Sequence, residues 1–174
     1  MLKYGKIKFR EWKRTDIEKL FLWLNDSEVM KYLENAFPAK SYESVVEYYE
    51  QRIKEPYRYM IIDQKSTEPI GTCRLFNINH EDDRCELSLI IGEKDYWGKG
   101  YGKDVIEMCK KVAFSGLNLN RLELHCYAIN ERAIKLYTKC GFRKDGLLRE
   151  YSKLNSKYED VYVMSILSAE HVTS

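Results

Sequence analysis

Three glycines stand on alternate residues in the stretch Tyr96-Trp97-Gly98-Lys99-Gly100-Tyr101-Gly102-Lys103. Without a Cβ, such residues let the backbone turn tightly and leave its N–H groups uncrowded. An apolar strand precedes the stretch and a helix-period pattern follows it, so those N–H groups fall at a helix N-terminus, where the dipole favours anions. The chemistry this predicts is phosphate binding by main chain. Two common phosphate motifs are excluded. A dinucleotide fingerprint needs glycine where Lys103 stands, and a P-loop needs glycine there with lysine at Asp104.

Other residues offer proton chemistry. In the segment Cys85–Ile91 a period of two puts Glu86, Ser88 and Ile90 on one face, opposite Cys85, Leu87, Leu89 and Ile91. A carboxylate on a strand flanked by apolar residues suits either a general base or a structural ion pair. His125 shares a strand face with Glu123 and Tyr127 and reads as a hydrogen-bonded structural histidine. His80 lies in an acidic turn and carries no role. The five cysteines sit in or beside apolar segments with no C-x-x-C pair, so they read as buried free thiols in a reducing compartment. No H-x-x-x-H pair occurs, which argues against a metal site.

The elements that must position these groups follow from hydrophobic periodicity. Ile7–Trp12 alternates as a strand. Thr15 and Glu18 have capping-box spacing ahead of a helix carrying Leu20, Phe21, Trp23 and Leu24. A short helical turn around Glu28–Leu33 and a break at Asn35–Pro38 come next. Ser41 caps a second helix with Val45, Tyr48, Tyr49 and Ile53, which Pro56 ends. Strands follow at Tyr59–Ile62, Ile70–Ile78 and Cys85–Ile91. The glycine turn then opens a helix with Val105, Ile106, Cys109, Val112 and Ala113, stopped at Gly116. Arg121–Tyr127 is a strand, and Asn130 caps a helix with Ala133, Ile134, Leu136, Tyr137 and Cys140, stopped at Gly141. Strands near Arg143–Tyr151 and Tyr158–Leu167 flank a turn at Asn155-Ser156. The order is β-α-α-β-β-β-α-β-α-β-β, an α/β (α+β) arrangement.

A chain of 174 residues with no repeat or linker reads as one domain, residues 1–174. Its 29 basic and 27 acidic residues nearly balance, which argues against a dedicated nucleic-acid partner. The N-terminal residues lack an apolar signal region, and no apolar run is long enough to span a membrane, so the expectation is a cytoplasmic protein with no membrane partner. The sequence does not fix the oligomeric state; a homodimer is one expectation.

The segment Asn130-Glu131-Arg132-Ala133-Ile134-Lys135-Leu136-Tyr137-Thr138-Lys139-Cys140-Gly141-Phe142 matches every specified position of N-x-x-A-x-x-L-Y-x-K-x-G-F. With the glycine turn, aligned as Trp97-Gly98-Lys99-Gly100-Tyr101-Gly102 on Q/R-x-x-G-x-G/A, it resembles the GNAT superfamily of N-acetyltransferases, whose element order is also similar. Trp97 departs from the usual Gln or Arg, so its side chain has no assigned phosphate contact. The resemblance implies a mixed, mostly antiparallel twisted sheet flanked by helices, acetyl-CoA as co-substrate, no metal, and an amine acceptor. It implies a cofactor site of Leu89, Ile90 and Ile91 main chain along the pantetheine arm, Trp97, Gly98, Lys99, Gly100, Tyr101, Gly102 and Lys103 around the phosphates, and Asn130, Ala133, Tyr137 and Lys139 on the later helix. Tyr137 is the expected proton donor to the departing thiolate, with core packing as the alternative. Asn130 has a pantetheine contact or helix capping open to it. Lys99 is either a phosphate-side charge or a solvated lysine.

An alkyl amine, with a reference pKa of about 10.4, is protonated at neutral pH and must lose a proton before it attacks a thioester. Glu86 is the candidate base, with a water chain as the alternative route. The strand Phe9-Arg10-Glu11-Trp12, the stretch Trp23–Val29, and the segments Gly146–Glu150 and Tyr158–Val161 resemble two groups of the superfamily, the ribosomal-protein alanine N-acetyltransferases first and the spermidine N-acetyltransferases second. Met30–Tyr42 contains one acidic residue, Glu34, against Lys31 and Lys40. A polycation site should cluster carboxylates, so this count favours a protein or peptide N-terminal amine over a polyamine. A catalytically silent CoA-binding regulatory domain is the alternative of another class, and an unrelated nucleotide-binding module is a third, opposed by the Asn130–Phe142 match.

Overall fold

The computed structural model describes residues 2–33, 41–154 and 156–171. In chain order it contains β1 (Leu2–Tyr4), β2 (Ile7–Arg10), α1 (Ile17–Asn25), α2 (Tyr42–Arg52), β3 (Arg58–Asp63), β4 (Pro69–Asn79) and β5 (Arg84–Ile91). These are followed by α3 (Tyr101–Lys110), β6 (Arg121–Tyr127), α4 (Glu131–Lys139), β7 (Arg143–Leu154) and β8 (Lys157–Leu167). The strands form one mixed sheet in the order β1-β2-β3-β4-β5-β6-β8-β7. The β5–β6 pair is parallel, and the pairs β1–β2, β2–β3, β3–β4, β6–β8 and β7–β8 are antiparallel. The expected order holds, with one added strand, β1, which turns back into β2 through Gly5 at φ +49°.

By density of contacts the chain divides into two compact units. The first comprises the chain up to Arg74 and Leu89–Val105; the second comprises Leu75–Ser88 and the chain from Ile106 onward. The core of the first is built on Trp12, Leu20, Trp23, Val45, Met60 and Ile62, all buried. Leu20 and Trp23 of α1, and Val45 with Tyr49 of α2, recur at helical spacing, while Met60 and Ile62 share one face of β3 by the period of two. Ser41 Oγ accepts from Ser44 N at 3.2 Å, the expected N-cap of α2.

The Thr15–Glu18 capping box does not form. A 3-10 turn at Arg14–Asp16 leads into α1, and the buried Asp16 carboxylate accepts from Lys13 N at 2.7 Å and from both Arg10 guanidinium nitrogens at 2.6 and 2.7 Å. A bidentate arginine satisfies the carboxylate better than a cap alone. Residues 27–33 form turns rather than a helix. The expected break at Asn35–Pro38, together with Glu34 and Lys40, lies outside the described residues, as does Asn155.

In the second unit, Leu122, Leu124 and Cys126 of β6 are buried while Glu123 and His125 are not, the alternation of a strand covered on one face. Met164 and Ile166 of β8 are buried too. β7 lies at the sheet edge and is almost wholly exposed. Among the described residues no helix is long and apolar enough to cross a membrane.

Candidate active site

The glycine turn leaves β5 at Ile91. Gly92 N and Glu93 N both donate to Ile70 O, at 2.9 and 3.1 Å. A Cβ on Gly92 would come within 2.2 Å of the Trp23 ring, so the indole lies flush on the backbone there. Trp23 Nε1 and Lys19 Nζ both donate to Glu93 Oε1, at 3.1 and 2.7 Å, which fixes the exit path. A 3-10 turn at Lys94–Tyr96 follows, and Trp97 Nε1 then donates to Ile91 O at 2.7 Å. The residue that departs from the family pattern thus clamps the end of β5 to the start of the turn.

Gly98 and Gly100 take left-handed φ of +73° and +88°. That conformation costs an L-residue about 1–2 kcal/mol, and glycine nothing comparable. A Cβ on Gly98 would meet no atom within 4 Å, so the turn stands open on that side. Gly102 does not share the left-handed conformation and lies in the first turn of α3. Lys103 N and Asp104 N donate to Gly100 O at 3.1 and 3.3 Å, while the amides ahead of them in the first turn of α3 have no intrahelical carbonyl to donate to. An open, left-handed turn feeding a helix N-terminus is what a diphosphate requires, and the residues present fit CoA on that ground.

The Tyr101 side chain serves the scaffold. Its hydroxyl donates to Asp63 Oδ1 at 2.9 Å, and its ring stands edge-on to Tyr96. Burial, and then the Asp63 carboxylate, push its phenol up to about 12. Burial also draws the Asp63 carboxyl upward, but the Ser66 N–H and hydroxyl and the Tyr101 hydroxyl outweigh it and hold the acid below its usual range. Lys99 and Lys103 are exposed.

β5 pairs with β6 only from Arg84 to Glu86, yet runs on to Ile91. Leu89, Ile90 and Ile91 are half-buried there. The Ile90 carbonyl lies against Gly71, where a Cβ would come within 2.1 Å of it, and the Ile91 carbonyl accepts the Trp97 indole. Gly71 escapes sequence reasoning because nothing near it signals a close approach.

Glu86 is half-buried, and its Oε1 accepts from Asn77 Nδ2 at 2.7 Å. Its partner is a neutral amide, and among the described residues no cation lies within ion-pair distance of it. Asn77 sits at φ +48° in β4, an irregular strand position that sequence reasoning passed over. Glu123, in register with Glu86, accepts instead from Arg121 Nε at 2.7 Å.

The α4 segment is assembled almost entirely by local interactions. Asn130 Oδ1 accepts from Ala133 N at 3.2 Å, so its oxygen caps the helix and its NH2 group is the part that can reach a ligand. Gly141 ends the segment at φ +90°, with Phe142 N donating to Tyr137 O at 3.0 Å. The buried Lys110 ammonium donates to the Cys140 carbonyl and pairs with Glu107 at 2.8 Å. Ala133, Ile134, Leu136 and Tyr137 are only half-buried, so the apolar face of α4 keeps access from outside; Lys139 is exposed. The Tyr137 ring stands 5.9 Å from Phe142. Burial foremost, then the Cys126 and Cys140 thiols, raises its phenol above the usual range. A phenol so placed holds its proton through neutral pH and can donate it.

All five cysteines are buried and free. Burial pushes the Cys85 thiol up to about 12 and the Cys126 thiol to about 11, away from the thiolate form a nucleophile needs. His125 is exposed and meets the Tyr151 ring edge-on at 5.7 Å, an aromatic contact in place of the expected hydrogen bond. Among the described residues, no group of three or more His, Cys, Asp or Glu is placed to hold a metal ion.

The chain matches the acetyltransferase (GNAT) domain family over residues 6–143. It is 28% identical over 169 residues to the spermidine N(1)-acetyltransferase of Vibrio cholerae, covering 97% of this chain and 96% of that protein. It is 37% identical over 114 residues to the uncharacterized N-acetyltransferase p20 of Bacillus licheniformis, covering 66% of this chain and 64% of that protein. The crystal structure of spermidine N-acetyltransferase from Vibrio cholerae in complex with CoA and spermine superposes with a TM-score of 0.85 at 29% identity, over 95% of this chain and 97% of that one.

Proposed function

The chain belongs to the GNAT acetyltransferase family and is an acetyl-CoA-dependent N-acetyltransferase, and from that premise we propose that its acceptor is a polyamine of the spermidine class. The observation that carries this reading is the near end-to-end likeness to spermidine N-acetyltransferases, in sequence and in fold. It reverses the preference for a peptide amine, which rested on the acidic count of Met30–Tyr42. Residues 34–40 of that segment lie outside the described structure, and a count over one short stretch ignores carboxylates contributed by other elements.

Acetyl-CoA supplies the thioester-bound acetyl group. The amides following Gly98 and Gly100 hold its diphosphate, with Lys99 and Lys103 adding charge from the solvent side. Leu89–Ile91 offer main chain to the pantetheine arm, joined by the Asn130 NH2 group and the α4 surface at Ala133 and Lys139. Glu86, oriented by Asn77, takes the ammonium proton directly or through water. Tyr137 returns a proton to the leaving sulfur. Transfer is direct, without an acetyl-enzyme, because every cysteine is buried and those at 85 and 126 are held as thiols. The whole chain acts as one catalytic domain.

The test is an acceptor screen that reads CoA release from acetyl-CoA with spermidine, spermine, and short peptides bearing free N-terminal Ala or Ser. Turnover of spermidine with inert peptides is expected. Turnover of peptides with inert polyamines would restore the peptide reading, and silence with all of these amines would point to another small amine as the acceptor.

A further inference from the structure

The β1–β2 turn carries a cation to the phosphate turn from far away in the sequence. Lys6 Nζ donates to Lys99 O at 2.6 Å and stands 5.3 Å from the Tyr101 ring centroid. It lies 3.4 Å from where a Cβ on Gly100 would be. Its backbone is held from two sides. Lys6 N donates to Asp104 Oδ2 at 2.9 Å, and Gln64 N donates to Lys6 O at 2.8 Å. Gln64 Nε2 also donates to Gly5 O at 2.8 Å. Gly5 suits this turn, since it has φ +49° and a Cβ there would come within 2.5 Å of Asp104 Oδ2 and displace that carboxylate. These contacts anchor the root of an exposed lysine that would otherwise sample many rotamers.

We propose that Lys6 binds the diphosphate of CoA and completes the anion site that the glycine turn begins. The proposal rests on the reading that the diphosphate sits on this turn. The turn supplies main-chain N–H groups, but its Lys99 carbonyl is a partial negative charge in the same neighbourhood. Lys6 compensates that carbonyl with one N–H. An ammonium has three donors, so two remain for phosphate oxygens. Asp104, the acidic residue in the first turn of α3, is engaged with Lys6 N. The same β1–β2 turn therefore occupies the nearby anion and delivers the cation.

The experiment compares wild type, Lys6→Met and Lys6→Arg. CoA affinity is measured by calorimetric titration at low and high salt. S-acetylpantetheine, which has the same thioester arm and no phosphate, is compared with acetyl-CoA as donor by thiol release. Thermal unfolding establishes that each variant is folded. Lys6→Met should weaken CoA binding about tenfold at low salt and less at high salt, because the charge is exposed and screened. It should leave turnover of S-acetylpantetheine unchanged, and Lys6→Arg should keep most of the affinity. Equal losses on both donors would make Lys6 a scaffold residue, and undiminished CoA affinity in Lys6→Met would also overturn the proposal. A wild type that uses both donors equally well would instead overturn the diphosphate reading of the turn, and the role of Lys6 with it.

Discussion

The glycine turn and the α4 segment carry the two family motifs, and they are built in opposite ways. The α4 segment is built mainly from within: Asn130 caps it, Gly141 ends it, and Phe142 N returns to Tyr137 O, with Lys110 adding one long-range tie to the Cys140 carbonyl. The glycine turn is shaped by residues distant in sequence. Tyr101 ties it to Asp63 and Lys6 to the Lys99 carbonyl, both far away in the chain, while Trp97 closes it on Ile91 six residues back. A motif of the first kind can be read in full from a short window. In the second kind the window shows where the turn is, but not what holds it.

The largest effect should come from Gly100→Glu. The substitution imposes a side chain on a φ of +88° and adds negative charge at the turn proposed to hold the diphosphate. Acetyl-CoA binding should disappear in calorimetric titration of the folded variant. Retained affinity would break the claim that this turn is the anion site.

Tyr137→Phe removes one proton and little volume. General acid–base groups contribute roughly 10²–10⁴-fold, so kcat should fall within that range while acetyl-CoA affinity holds. The pH dependence sharpens this. Burial raises the Tyr137 phenol above the usual range, so its protonated form persists through neutral pH and is lost only above about 10. In wild type, kcat/KM should therefore show no alkaline decline due to this group below that point. A loss confined to KM would return Tyr137 to a packing or binding role.

Glu86→Gln should lower the rate by about a hundredfold, the low end of general-base catalysis. A wild-type rate would assign proton removal to a water chain.

The smallest effects compare the two motifs most directly. Asn130→Ala should cost about 1 kcal/mol of stability through the lost cap, read as a lowered unfolding midpoint. Trp97→Phe should cost a similar amount, about 1 kcal/mol, through the lost indole donation. It should also weaken acetyl-CoA binding, because it loosens the turn itself. Undiminished acetyl-CoA affinity in Trp97→Phe would break the claim that the tie to Ile91 shapes the turn.

Legibility in the sequence follows the same division. β6, α2 and α4 were readable because period, cap and stop signal all lie within a few residues. β1 was missed because three residues cannot display a period. The Thr15–Glu18 pattern misled because Asp16 found a bidentate partner in Arg10, a contact that no local window displays. Trp97 carried no assignable role until its acceptor, the Ile91 carbonyl, was visible. Gly71 and Gly92 matter only through what approaches them, the Ile90 carbonyl and the Trp23 ring. Acceptor identity was least legible, because a short charge count stood in for a site that several elements build.

The measurement that bears most directly on the central claim is mass spectrometry of protein and products together. The enzyme is first incubated with acetyl-CoA alone and then given spermidine. Direct transfer predicts an unmodified protein mass before the acceptor is added, followed by acetylspermidine in step with released CoA. Acetyl on the protein before acceptor, or CoA release without acetylspermidine, would contradict the account.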